Sequence, residues 1–328
     1  MPRKFRLDAA GVLHHVIVRG IERRSIFLTV ADRRDFFERC ERLFAESATS
    51  CYAWAFLSNH VHLLLRTGDV PLSKVMARLL SGYAARFNRT HKRSGHLFQN
   101  RYKSIICEEE SYFKELVRYI HLNPVRARLV SDLDGLAVYR WSGHSALLGR
   151  RPCEWQDCTY TLASFGSVAS YAEFVAQGFS QGRRDDLVGG GVVRSHGGWA
   201  EIRSSHELVK GDERILGDTS FVMRILADAR EKVDRRMRMR HSGVTVETVE
   251  KRVMELFSLT SEELYREGRT RSVSRARSLF CFWAVREIGL SQKELAERFS
   301  LSEPAIAYAV RRGRKTAKEE GYDLREEE

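Results

Sequence analysis

The chain has 328 residues, with 55 Lys and Arg against 43 Asp and Glu, a formal net charge of +12. A basic excess of this size favours a polyanionic partner, and nucleic acid is the usual one. With 43% hydrophobic and 30% charged residues the composition fits a globular protein of two or three domains. No apolar run approaches a membrane span, and none follows Met1-Pro2-Arg3-Lys4-Phe5, so a cytoplasmic protein without a membrane partner is expected. Cys40, Cys51, Cys107, Cys153, Cys158 and Cys281 form no CxxC pair and read as reduced thiols.

In chain order, Leu13 to Arg19 reads as a strand closed by Gly20. Asp32 to Phe44 has helical spacing, with Phe36, Phe37, Cys40 and Phe44 on one side. Cys51 to Leu57 and His60 to Arg66 read as strands, and Leu72 to Phe87 as a helix. Short extended pieces are expected at His96 to Phe98 and Tyr102 to Cys107. From about Glu109 a helix places Phe113, Leu116, Val117 and Ile120 on one stripe, and Pro124 ends or resets it. This order suggests a compact α/β domain with a mixed or antiparallel sheet.

From about Gly143 to Lys232 the signals weaken. The glycine runs 189–191 and 197–198 read as loops, with a phosphate-cradling role only weakly indicated. Arg235 to Arg240 is a basic run, a solvated face or a DNA contact. After Thr245 the chain is helical. Ser274 to Ile288 is amphipathic and stops at Gly289. Ser291 to Glu294 has the form of a capping box for a helix to about Phe299. After the turn Ser300-Leu301-Ser302 a second helix runs from Glu303 to about Arg312, with Pro304 in its first turn, and the last residues read as a solvated tail.

In a strand, His60 and His62 share a face, and two imidazoles so placed can chelate a divalent ion. Core or surface packing explains most such pairs. On a helix Tyr119 and Asn123 stack one turn apart, so a phenol could attack phosphorus while an amide oxygen joins the metal's shell. Tyr119 also borders the apolar stripe and Asn123 could cap the next segment.

Taken together, His60-Val61-His62, the stretch from Tyr119 to Ala127 (YIHLNPVRA) and the stretch from Gly95 to Ser104 resemble the REP-associated tyrosine transposases, relatives of the single-tyrosine HUH transposases. The resemblance is close over residues 8 to 145 and continues less specifically through Asp212 to Gly217. It implies a ferredoxin-like catalytic domain that binds Mg²⁺ or Mn²⁺ through His60, His62 and Asn123, with Tyr119 as nucleophile. Ile21, after Gly20, departs from the small or polar residue expected there. Ser274 to Leu324 resembles the DNA-binding C-terminal domain of the bacterial replication initiator DnaA, although Ser300 stands where such turns often carry glycine. That resemblance places Leu295, Ala296, Leu301, Ile306 and Val310 in a core. It offers Ser302, Glu303, Ala307, Tyr308, Arg311, Arg312, Arg314 and Lys315 to DNA.

The expected architecture is therefore α+β: a ferredoxin-like HUH domain over 1–145, a poorly defined stretch over 146–240, and a separate all-α helix-turn-helix domain over 241–328. The expected activity is cleavage and rejoining of single-stranded DNA near hairpins or palindromes, through a 5′-phosphotyrosine. Double-stranded DNA is a further partner open to the C-terminal helices. The alternatives are a non-enzymatic DNA-binding regulator on the same scaffold and an HUH replication or mobilisation nickase.

Overall fold

A computed structural model describes residues 7, 11–68, 70–182, 184–187, 212–241, 245–266 and 270–324. The glycine runs 189–191 and 197–198 lie outside the described residues. The chain divides into two compact units, residues 1–227 and 228–328.

The first unit is built on β1 (Leu13–Arg19), β2 (Ser50–Phe56), β3 (His60–Arg66), β4 (Lys103–Cys107) and β5 (Ile215–Leu216), in the sheet order β2-β3-β1-β4-β5. The first four strands pair antiparallel and β5 joins β4 in parallel. The order 2-3-1-4, with helices α1 (Val30–Ser47) and α2 (Leu72–Thr90) as crossovers, is the ferredoxin-like arrangement.

Side-chain alternation divides the sheet into two faces. Val16, Val18, Trp54, Phe56, Val61, Leu63 and Leu65 face α1 and α2, which bury Phe36, Phe44, Met76, Leu79 and Tyr83. α1 begins in a capping box: Asp32 N–H donates to Thr29 Oγ1 at 3.2 Å, and Thr29 N–H donates to Asp32 Oδ2 at 2.8 Å. The opposite face carries Leu13, Ile105, Leu64, Ala53 and Ala55, covered by α3 (Glu109–His121) through Phe113, Leu116, Val117 and Ile120.

The helix stripe of α3 ends where Pro124 resets the chain into α4 (Asn123–Arg126). Beyond it come α5 (Leu133–Val138), α6 (His144–Leu147), α7 (Cys158–Phe165) and α8 (Val168–Gln177). Leu136, Leu147, Tyr171, Val175 and Leu187 from this stretch complete the same core as α3. α9 (Thr219–His241) begins against β4 and β5, where Phe221, Val222 and Ile225 bury Ile106 and Ile215. The basic run Arg235 to Arg240 lies on this helix.

The second unit contains α10 (Val246–Phe257), α11 (Ser261–Tyr265), α12 (Arg271–Arg286), α13 (Gln292–Arg298) and α14 (Glu303–Glu320). Its core gathers Val253, Leu279, Phe280, Trp283, Leu295, Ile306 and Val310. Ser291 and Glu294 form the expected capping box at α13. Ser300, with φ of 51°, adopts the left-handed conformation that explains why glycine suits this turn.

Three expectations change. Leu301 is 44% exposed rather than core. α14 runs on to Glu320, past Arg312, and Gly313 within it is a contact point: a Cβ there would lie 1.8 Å from the Ser278 carbonyl oxygen, so α12 and α14 touch at bare backbone. Near the chain end, Leu324 is buried in the core rather than solvated.

Candidate functional site

In the antiparallel register Ile17 lies opposite His62 and Arg19 opposite His60, so the alternate residues of β1 share the histidine face. His15 lies diagonally across from His62, and the two meet: His15 Nε2 is 2.9 Å from His62 Nδ1. Their rings stack at 5.2 Å between centroids and 25° between planes. His60 is held differently. Asn59 donates Nδ2 to the Arg23 carbonyl at 2.9 Å, which turns its Oδ1 toward His60 Nδ1 at 2.6 Å. An amide oxygen only accepts, so His60 carries its proton on Nδ1 and keeps the Nε2 lone pair.

All three rings are neutral at ordinary pH. Burial lowers His15 to about 3, with the Lys103 charge adding to the effect. Burial, then Arg19, lowers His60 to about 4. His62 falls well below its usual value through burial, then His15, His60, Arg19 and Arg126. The same interactions mark out a cationic rim of Arg19, Lys103 and Arg126 around the histidines.

Tyr119 reaches this cluster from α3. Its half-buried ring sits edge-on to His62 and to His15, each with a 5.8 Å centroid separation. Arg126 places its guanidinium carbon 5.1 Å from the Tyr119 ring centre. The Tyr119 carbonyl is in the last turn of α3, where carbonyls lack helical partners. Asn123 Nδ2 and Arg126 Nη1 both donate to it, each at 2.9 Å. His60, His62, His15 and Tyr119 are thus gathered, and Asn123 is tied to Tyr119 through the backbone.

The rear of α3 is fixed by polar contacts. Tyr171 Oη lies 2.7 Å from His121 Nδ1 and 2.5 Å from His144 Nδ1, all three residues buried. Arg118 and Arg184 converge on Glu115, at 2.7 Å and 2.9 Å, which binds the segment 184–187 to the helix.

In the second unit Ser302 caps α14 by accepting from Ala305 N–H, and Glu303 is exposed in the first turn. Tyr308 is 59% exposed, with Arg311 and Arg312 each 5.7 Å from its ring centre. Arg311, Arg314 and Lys315 are exposed, Ala307 is half-buried, and Lys315 pairs with Glu319 at 3.6 Å. Arg312, half-buried beside Tyr308, also reaches α12. It donates to Ser278 Oγ at 2.9 Å and to the Ser274 carbonyl and hydroxyl at 2.9 and 2.6 Å, and so fastens α14 to α12.

Sequence reading missed His15, Arg19, Lys103 and Arg126 as members of the site. The His14-His15 doublet was visible, but only the pairing register assigns it to the histidine face.

Residues 9–123 match the family model described as "Transposase IS200 like". A solved structure titled "Structure of the REP associates tyrosine transposase bound to a REP hairpin" is similar at 19% identity and a TM-score of 0.38, over 47% of this chain and 91% of that one. No curated protein matches the chain.

Proposed function

We propose that this chain, whose residues 9–123 match the IS200-like transposase family, cuts and rejoins single-stranded DNA through a covalent Tyr119 phosphodiester. The observation that carries this reading is the seating of the Tyr119 ring against His62 and His15, within a rim of three cationic side chains.

In the proposed step Tyr119 Oη attacks the scissile phosphorus. The new O–P bond forms as the P–O3′ bond breaks, and the phenolic proton ends on the departing 3′-oxygen. Electron count and charge balance, and the phosphotyrosine conserves the ester for return to another 3′-hydroxyl. Arg19, Lys103 and Arg126 would hold the phosphodiester and its neighbours, since phosphate oxygens accept from any cation. Packing of the tyrosine on buried rings restricts it to few rotamers, which favours attack from one direction.

The donor set fits a divalent cation, Mg²⁺ or Mn²⁺: two neutral imidazoles, with the Asn123 amide as third protein ligand. Among the described residues no group of three or more His, Cys, Asp or Glu could hold an ion. The remaining positions would fall to water and DNA oxygens, as suits a cation that keeps oxygen ligands. When bound, such an ion supplies charge neutralisation at a non-bridging phosphate oxygen.

The second unit would add DNA affinity through the face of α14 that carries Tyr308, Arg311 and Arg314. Single strands with hairpins or palindromes are the proposed substrate, and double-stranded DNA a second ligand for α14. The test is incubation with 3′-labelled hairpin single strands, followed by a denaturing gel and peptide mapping. A covalent adduct on Tyr119, lost in Tyr119→Phe while DNA binding persists, is the expected result. An adduct on another residue, or cutting by Tyr119→Phe, would overturn it. DNA binding without any adduct would point to a regulator.

A further inference from the structure

We propose that His15 is a positioning residue that accepts the Nδ1 proton of His62 and so commits the Nε2 lone pair of His62 to the cation. This rests on the reading of His62 as a metal ligand. A neutral imidazole has one N–H and one lone pair. The contact between His15 Nε2 and His62 Nδ1, at 2.9 Å, needs one proton, and either ring could supply it. If His15 donated, the His62 proton would sit on Nε2 and that nitrogen could not ligate.

Ligation decides between the two. His62 Nδ1 is taken up by His15, so His62 can bind a cation only through Nε2, and its one proton then sits on Nδ1 and donates to His15 Nε2. The His15 proton is left on its own Nδ1, which is buried and has no hydrogen-bond partner among the described residues. The Leu187 backbone acts in the same direction, favouring the protonated ring.

The two ligand histidines are thus oriented alike by unlike partners. Asn59 Oδ1 accepts from His60 and His15 Nε2 accepts from His62. Outer groups of this kind fix ring orientation and raise ligand basicity.

The experiment uses the full chain labelled with ¹⁵N-histidine and free of metal. Long-range ¹H–¹⁵N spectra report which ring nitrogen carries the proton, with His62→Gln identifying the His62 signals. The expected result is a proton on Nδ1 of both His62 and His15. A proton on Nε2 of His62 would overturn the proposal. Mn²⁺ titration then compares His15→Phe, which keeps a ring but no acceptor, with His15→Gln, whose Oε1 can accept. His15→Phe should weaken Mn²⁺ binding by about 10–100-fold, the range for lost outer-shell partners, and His15→Gln should recover most of it. Equal affinities in the wild type and His15→Phe would overturn the idea. If His15→Phe does not fold, the wild-type spectrum and the glutamine variant decide. If the wild type binds no Mn²⁺, the metal reading fails, while the spectrum still decides whether His15 sets the His62 proton.

Discussion

Asn123 gives its side-chain N–H to the backbone carbonyl of Tyr119 at 2.9 Å, so one residue serves the helix end and presents an amide beside the nucleophile. Replacement by aspartate separates these roles. Asn123→Asp cannot donate to the carbonyl and should lose about 1 kcal/mol of stability, the worth of one hydrogen bond, since Arg126 still donates there. A carboxylate is the stronger ligand for a hard cation, so Mn²⁺ affinity should rise. Denaturant unfolding and Mn²⁺ titration on the same preparation read both effects. An unchanged Mn²⁺ affinity would leave Asn123 as a helix-end residue alone.

Removal of either metal-facing imidazole should stop chemistry without unfolding the protein. His60→Ala and His62→Ala are expected to abolish cleavage of hairpin DNA in Mg²⁺ while circular dichroism stays as in the wild type, and a chelator should do the same to the wild type. Normal cutting by both variants would remove the metal from the mechanism.

Arg311 and Arg312 are neighbours in sequence with opposite expected effects. Arg311 is exposed on α14, and Arg311→Ala should weaken DNA binding and lower the log–log salt slope by about 0.9 for a lost duplex phosphate contact. Arg312 is bonded to Ser274 and Ser278, and Arg312→Ala should lower the melting temperature first. Titrations at several salt concentrations, paired with thermal melts, distinguish them. A salt slope that responds to Arg312 and ignores Arg311 would reverse the assignment.

His144 predicts an acid-sensitive core. Burial lowers its pKa to about 4, against roughly 6.5 in an unfolded chain. Between those values the unfolded chain binds a proton that the folded chain refuses. The contribution is therefore complete above pH 6.5 and is lost as pH falls toward 4, amounting to about 3 kcal/mol at most. His144→Asn should reduce the slope of stability against pH near pH 5 by about 1.4 kcal/mol per pH unit, one proton's worth. Denaturation curves at pH 7.5, 6 and 5 would show it. An unaltered slope would mean that His144 does not titrate on unfolding.

The strands and helices up to α3 were legible because each carries a recognisable pattern: short, largely apolar runs in β1 and β3, and a three-to-four stripe in α1 and α3. The core role of α6 to α8 was not. Those helices are 4 to 10 residues long, and none contributes more than two fully buried apolar side chains, such as Leu147, Tyr171 and Val175, too few to make a period. His60, His62 and Tyr119 could be named from spacing and family resemblance. His15 could not, because its place depends on which strand pairs with which and in what register. The bonds of Arg312 to Ser274 and Ser278 were hidden for a similar reason: a helix sequence shows which residues are polar but not which way each side chain folds back.

The two-residue strand β5 has a bearing on how this protein can be dissected. Arg214 and Leu216 carbonyls accept the Ile106 and Glu108 N–H groups, so residues 214–216 occupy the hydrogen-bonding side of β4 that β1 leaves open. A fragment that stops near residue 145 would contain every member of the proposed site and would lack this cover. It would present an unpaired row of amides beside Ile106, deprived also of Phe221 and Val222 above it. Bare edges of this kind recruit strands from other chains. Such a fragment should therefore self-associate during purification, whereas one extended to about residue 227 should stay monodisperse.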